Sequence, residues 1–117
     1  MITPLSVEDF LSQSKQHLTL DVRSEGEFNY GHIPHAMNLS LFNNNERKIV
    51  GTTYKQQSRN EAILVGLDIV GKKMGDFVRF VQPLIKENKV FVHCWRGGMR
   101  SGSMAWLLNL FGYEVFV

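Results

Sequence analysis

Apolar residues along the chain recur with two periods. Leu18, Leu20 and Val22 occupy every second position, the pattern of a half-buried strand, and Val90, Phe91 and Val92 form the short continuous run of a fully buried one. From Ser101 onward Met104, Leu107, Leu108 and Phe111 fall at i, i+3, i+4 and i+7, which predicts a helix burying those four residues and stopped by Gly112. Ser6 with Asp9, ahead of Phe10 and Leu11, and Ser24 with Glu27, ahead of Phe28, predict two short capped helices. Gly31-His32-Ile33-Pro34 predicts a turn, followed by a short strand from Ala36 to Leu39. Asn44 to Met74 reads as mainly helical, with Ala62, Ile63, Ile69 and Val70 as buried positions and Gly51, Gly66 and Gly71 as breaks. Asp76 to Lys86 suits a further helix limited by Pro83, and Tyr113 to Val117 a last strand. Strands joined through helices imply parallel pairing and right-handed crossovers, so the expected class is α/β: one domain over residues 1–117, a central, mainly parallel sheet flanked by helices.

Length agrees with a single domain, since 117 residues can bury a core without disulfides or metal. The single cysteine excludes an internal disulfide and predicts a reducing, cytoplasmic setting. A net charge of +2 does not by itself draw in nucleic acid, although local clusters can attract anions. No apolar run approaches the roughly 20 residues of a membrane span, and Pro4, Glu8 and Asp9 interrupt the first ten residues, so neither a signal peptide nor a membrane partner is expected. The four histidines show no metal-ligand spacing, and neither a metal nor a bound cofactor is expected. The apolar ending Tyr113-Glu114-Val115-Phe116-Val117 has no polar tail, which predicts that more protein follows.

The chemistry concentrates at the cysteine. Cys94 lies in His93-Cys94-Trp95-Arg96-Gly97-Gly98-Met99-Arg100-Ser101, directly after the Val90 strand and directly before the Ser101 helix. A helix N-terminus offers unpaired N–H groups and a positive dipole, and so holds an anion. Gly97 and Gly98 let the backbone curl, and Arg96 and Arg100 add positive charge, so residues Arg96, Gly97, Gly98, Met99, Arg100 and Ser101 are expected to form an anion cradle. In it Cys94 reads as a nucleophile stabilised as thiolate; the alternative is a small buried hydrophobe. Arg100 is expected to anchor the bound anion and Arg96 to project outward. Five residues separate Cys94 from Arg100, the C-x5-R form of cysteine phosphatases, for which Asp21, Glu25 and Glu27 are the possible general acids. For Asp21 and Arg23 a structural hydrogen-bonded role is favoured; His32 is expected to fix its turn and His93 to be a satisfied core group.

Asp21-Val22-Arg23, Gly31-His32-Ile33-Pro34-His35-Ala36-Met37-Asn38-Leu39 and the cysteine loop together resemble the rhodanese domain over nearly the whole chain. Rhodaneses commonly have Gly where His35 stands. Glu46-Arg47, Val50-Gly51-Thr52, Tyr54-Lys55-Gln56-Gln57 and Arg59, with the specific Cys94-Trp95-Arg96-Gly97-Gly98 run, are similar to the N-terminal rhodanese domain of the bacterial tRNA 2-selenouridine synthases. The resemblance implies a rhodanese-like fold and a Cys94 that carries sulfur or selenium, as a persulfide or its selenium equivalent. Selenophosphate or a sulfane-sulfur compound would be the donor, and wobble 2-thiouridine of tRNA the acceptor, reached through a geranylated intermediate. It also implies a C-terminal P-loop domain as partner, which these residues lack: no G-x-x-x-x-G-K-[ST] string occurs. A stand-alone thiosulfate-type sulfurtransferase, a rhodanese-related cysteine phosphatase and a non-catalytic docking module are the alternatives. Trp95 is either a packing residue or a surface for a base or prenyl group; Arg47, Lys48, Lys55 and Arg59 either contact tRNA or the further domain, or form a solvated helix face.

Overall fold

The structure, a computed structural model, describes residues 1–94 and 98–117. Its centre is a five-stranded sheet in which every pairing is parallel: β1 (Ile2–Thr3), β2 (Leu18–Asp21), β3 (Met37–Asn38), β4 (Lys89–His93) and β5 (Glu114–Phe116), in the spatial order β1-β5-β4-β2-β3. The helices between them are α1 (Val7–Gln13), α2 (Glu25–Tyr30), α3 (Asn44–Gln56), α4 (Arg59–Gly71), α5 (Met74–Val81) and α6 (Met99–Phe111).

Alternation along β4 sorts the two faces of the sheet. Val90 and Val92 point into the main core with Leu20, Val81, Met104, Leu108 and Val115, while Phe91 points to the opposite face. There Phe91 meets Phe10 of α1 edge-on at 5.4 Å and stacks on Phe116 at 4.8 Å. Both faces of β4 are thus covered, which is why its sequence reads as an unbroken apolar run.

Several boundaries differ from the sequence reading. β1 has no signature in the sequence: two residues carry no periodicity, and the strand exists because Ile2 and Thr3 lie in register with Val115 and Phe116. The Ala36–Leu39 strand narrows to Met37–Asn38, continued by Leu39 N–H donating to the Asp21 carbonyl at 2.9 Å. The long helical stretch breaks between α3 and α4, where the Ser58 hydroxyl caps α4 by accepting the Glu61 N–H at 3.1 Å. Gly51 and Gly66 break nothing; Gly66 is a contact glycine, because a Cβ there would stand 3.1 Å from the Phe42 ring. Ala62 is buried, but Ile63, Ile69 and Val70 are only half-buried. The helix assigned to Asp76–Lys86 runs Met74–Val81 and stops before Pro83. Phe111, assigned to the buried face of α6, is 53% exposed: it ends the helix, where Gly112 at φ +116 turns the chain back into β5.

Candidate functional site

Parallel strands end together, and the C-terminal ends of β2 and β4 bring Asp21, Val22, His93 and Cys94 to one edge of the sheet. Gly98 opens α6 as its N-cap with φ +68, a left-handed conformation that glycine adopts without strain. Its carbonyl accepts the Gly102 N–H at 2.7 Å, and the helix then points its first turn at Cys94. The Ser101 N–H donates to Cys94 Sγ at 3.3 Å, the thiol donates to Ser101 Oγ at 3.2 Å, and that hydroxyl donates to the Gly98 carbonyl at 3.1 Å. A half-buried sulfur packed against the edge of the core therefore faces an N-terminal amide of α6. Met99 lies in the same turn and is 56% exposed. Trp95, Arg96 and Gly97 lie outside the described residues.

Arg100 makes a contact that spacing did not suggest. Its Nη1 donates to Glu27 Oε1 at 2.7 Å and its Nη2 to Oε2 at 3.3 Å. The same carboxylate accepts the Ser24 N–H at 3.1 Å in the capping box of α2 and pairs with Arg47 Nε of α3 at 3.1 Å. Burial pushes the Glu27 carboxyl up, but the hydrogen bonds from Arg100 and Ser24 and the Arg100 charge outweigh it and hold the group at about 2. Glu27 therefore ties α2, α3 and α6 together, and it holds Arg100, in the first turn of α6, on a protein carboxylate. The capping spacing made Glu27 legible as a helix-start residue; nothing local signals that its carboxylate also reaches a residue 73 positions away.

At the end of β2, Arg23 and Asp21 form a buried pair, Nη2 to Oδ2 2.7 Å, and Arg23 Nη2 also donates to the Gly31 carbonyl at 2.6 Å. The Asp21 hydrogen bond holds the Arg23 guanidinium above its ordinary range against the opposing effect of burial, and the Asp21 and Glu27 charges, with a smaller influence of Cys94, act in the same direction. Arg23 thus lies within electrostatic reach of Cys94 besides its structural bonds. Burial, with the Arg23 charge, pushes the His93 imidazolium down against the pull of Asp21, which favours the neutral ring. His32 caps its own turn, Nδ1 2.8 Å from the Phe28 carbonyl, and stacks on the Phe28 ring. His35 Nε2 lies 2.8 Å from Ser14 Oγ, so the residue in place of the usual glycine is anchored at the end of α1.

Of the three carboxylates considered as general acid, Asp21 is fully buried against Arg23, Glu27 stays ionised at neutral pH, and Glu25 accepts the Asn44 N–H at 2.7 Å. Among the described residues, no three or more of His, Cys, Asp and Glu are grouped to hold a metal, and no helix is long and apolar enough to cross a membrane.

The basic stretch separates in space. Arg47, Lys55 and Arg59 line a groove of about 930 Å³ between α3, α4 and α6, whereas Lys48 is exposed on α3 outside that lining. Met99, Arg100, Gly102 and Ser103, from the first turns of α6, form the groove's end beside the cysteine, and Tyr54 and Trp106 line it as well.

The family model described as the rhodanese-like domain matches residues 3–117. The chain is similar to the tRNA 2-selenouridine synthases of Nitrosomonas europaea (38% identity over 84 residues, 70% of this chain and 22% of that protein) and Proteus mirabilis (42% over 84 residues, 70% and 23%). It is also similar to that of Psychromonas ingrahamii (34% over 97 residues, 82% and 27%). The chain spans about a quarter of the length of these curated relatives. Among solved structures, the N-terminal domain of a putative ATP/GTP binding protein from Clostridium difficile 630 superposes with a TM-score of 0.80 at 37% identity, covering 99% of this chain and 88% of that one.

Proposed function

Because the chain belongs to the rhodanese-like domain family, we propose that Cys94 is the carrier thiol of a chalcogen transfer that ends on the wobble 2-thiouridine of tRNA. The observation that carries this reading is the Cys94 sulfur at the end of β4, receiving the Ser101 N–H at the start of α6. In the loading step the thiolate attacks the outer sulfur or selenium of a donor such as a sulfane-sulfur compound. A new S–S or S–Se bond forms, the donor's bond to that atom breaks, and its electron pair leaves with the donor remnant. Cys94 then bears a terminal chalcogen anion, a charge that backbone N–H groups at the α6 N-terminus stabilise. The names of the relatives support tRNA and selenium as acceptor and cargo. Since this chain matches only about a quarter of the length of those proteins, the chain supplies the loading half of the reaction and the remainder of such a protein the transfer to tRNA.

Mass spectrometry of the intact chain after incubation with a sulfane-sulfur or selenium donor tests the reading. A one-atom adduct on Cys94, absent in Cys94→Ser, is the expected result, without completed exchange on 2-thiouridine tRNA. Hydrolysis of an aryl phosphate without an adduct would replace the reading with the phosphatase one, against which the ionised Glu27 and the paired Asp21 already argue.

A further inference from the structure

Resting on that reading for its RNA, we propose that the groove between α3, α4 and α6 seats a single-stranded stretch of RNA, with bases against Tyr54 and Trp106 and phosphates on Lys55, Arg59 and Arg47. Charge complementarity names the occupant. Four cationic side chains line the groove, and among the described residues no Asp or Glu does. Arg47 and Arg100 share Glu27, so that trio retains one net positive charge, while Lys55 and Arg59 form no ion pair among the described residues. An anion is favoured along the whole rim.

The floor selects which anion. Val50, Ile63 and Leu67 make it apolar, so a bare phosphate or a sulfate would leave it empty. Tyr54 and Trp106 are 58% and 54% exposed, large rings that the core does not use. Flat exposed aromatics beside cations are the elements by which unpaired nucleotides are held, bases on rings and phosphates on guanidinium or ammonium groups. Duplex RNA hides its base faces and would meet only the rim. The volume of about 930 Å³ lies at the upper end of ligand pockets, roughly 300–1,000 Å³, a scale for a few nucleotides rather than a folded domain.

Position adds a third argument. The end of the groove is built from the first two turns of α6, the helix whose Ser101 amide faces Cys94. A strand lying along the groove therefore passes beside the helix turn whose Ser101 amide faces the sulfur.

The test is fluorescence anisotropy of the wild-type chain with a short RNA hairpin carrying 2-thiouridine in its loop, against the same sequence closed into a duplex, over a range of salt. The loop should bind in preference to the duplex. Trp106→Ala should weaken it about tenfold or more, as loss of one stacked base does, with Trp106→Phe restoring most of the affinity. Lys55→Gln with Arg59→Gln should lower the slope of log affinity against log salt by about 1.4, the loss of two phosphate contacts to a single strand. Lys86→Gln, exposed and outside the groove, should leave the isotherm unchanged. Preference for duplex, equal losses at Lys86 and at Lys55 with Arg59, no saturable loop binding, or a second copy of the chain or another protein covering Trp106 would each overturn the proposal. Chalcogen uptake at Cys94 is measured on the same wild-type sample without RNA, so failure of the transfer reading is seen separately from failure of the groove.

Discussion

Glu27→Gln isolates the ionic part of the knot that joins α2, α3 and α6. Glutamine keeps the shape of the side chain and a carbonyl oxygen for the Ser24 N–H, but it removes the charge opposite Arg100 and Arg47. A carboxyl held at about 2 rather than its ordinary 4.5 sets an upper bound of roughly 3 kcal/mol on the stability that depends on this charge. Solvent reaches the cluster, with Glu27 and Arg100 side chains 18% exposed and Arg47 55%. Screening reduces the expected loss to about 1–2 kcal/mol at neutral pH, or a fall in melting temperature of roughly 3–8 °C for a domain of this size. The folded-state value is depressed, so the wild-type advantage is complete above the ordinary carboxylate range and disappears as pH falls from about 4.5 to about 2. Paired thermal melts of wild type and Glu27→Gln from neutral pH down to about pH 2.5 measure that convergence. A gap that persists undiminished at the acid end would mean that Glu27 acts by shape and capping alone; no gap at neutral pH would mean that the ion pairs add nothing.

Ser101→Ala removes the hydroxyl that can turn from the Gly98 carbonyl to donate to a deprotonated Cys94 Sγ, while keeping the amide that also faces it; loss of one such bond should slow chalcogen uptake by roughly 3–10-fold at neutral pH, and an unchanged loading rate would assign the whole effect to the backbone. Asp21→Asn leaves the guanidinium of Arg23, whose side chain is only 10% exposed, without its carboxylate. The expected cost is about 3–5 kcal/mol in urea denaturation, and a loss below about 1 kcal/mol, the scale of an exposed pair, would show that the Gly31 carbonyl and water satisfy Arg23 unaided.

Local sequence was enough for the elements whose reason is local. The Leu18 and Val90 strands are written in apolar runs, and the capping residues Ser6 and Ser24 each occupy the side-chain geometry that starts a helix. The approach of a thiol to a helix N-terminus also followed from order along the chain, since a strand, a glycine-containing loop and a helix leave Cys94 little choice of neighbour. What only the tertiary structure decided involves partners far apart in sequence. β1 needs β5, more than a hundred residues away, before two residues become a strand. Sequence displays the charge of Arg100, but its pairing with Glu27 depends on where α2 packs. The groove is the clearest instance. Lys48 and Arg47 are adjacent and equally basic, but a helix sends consecutive side chains about 100° apart, so Arg47 joins Lys55 and Arg59 on its wall and Lys48 points away. Periodicity ranks positions by face, and only the packing of α3 and α4 against α6 says what that face encloses.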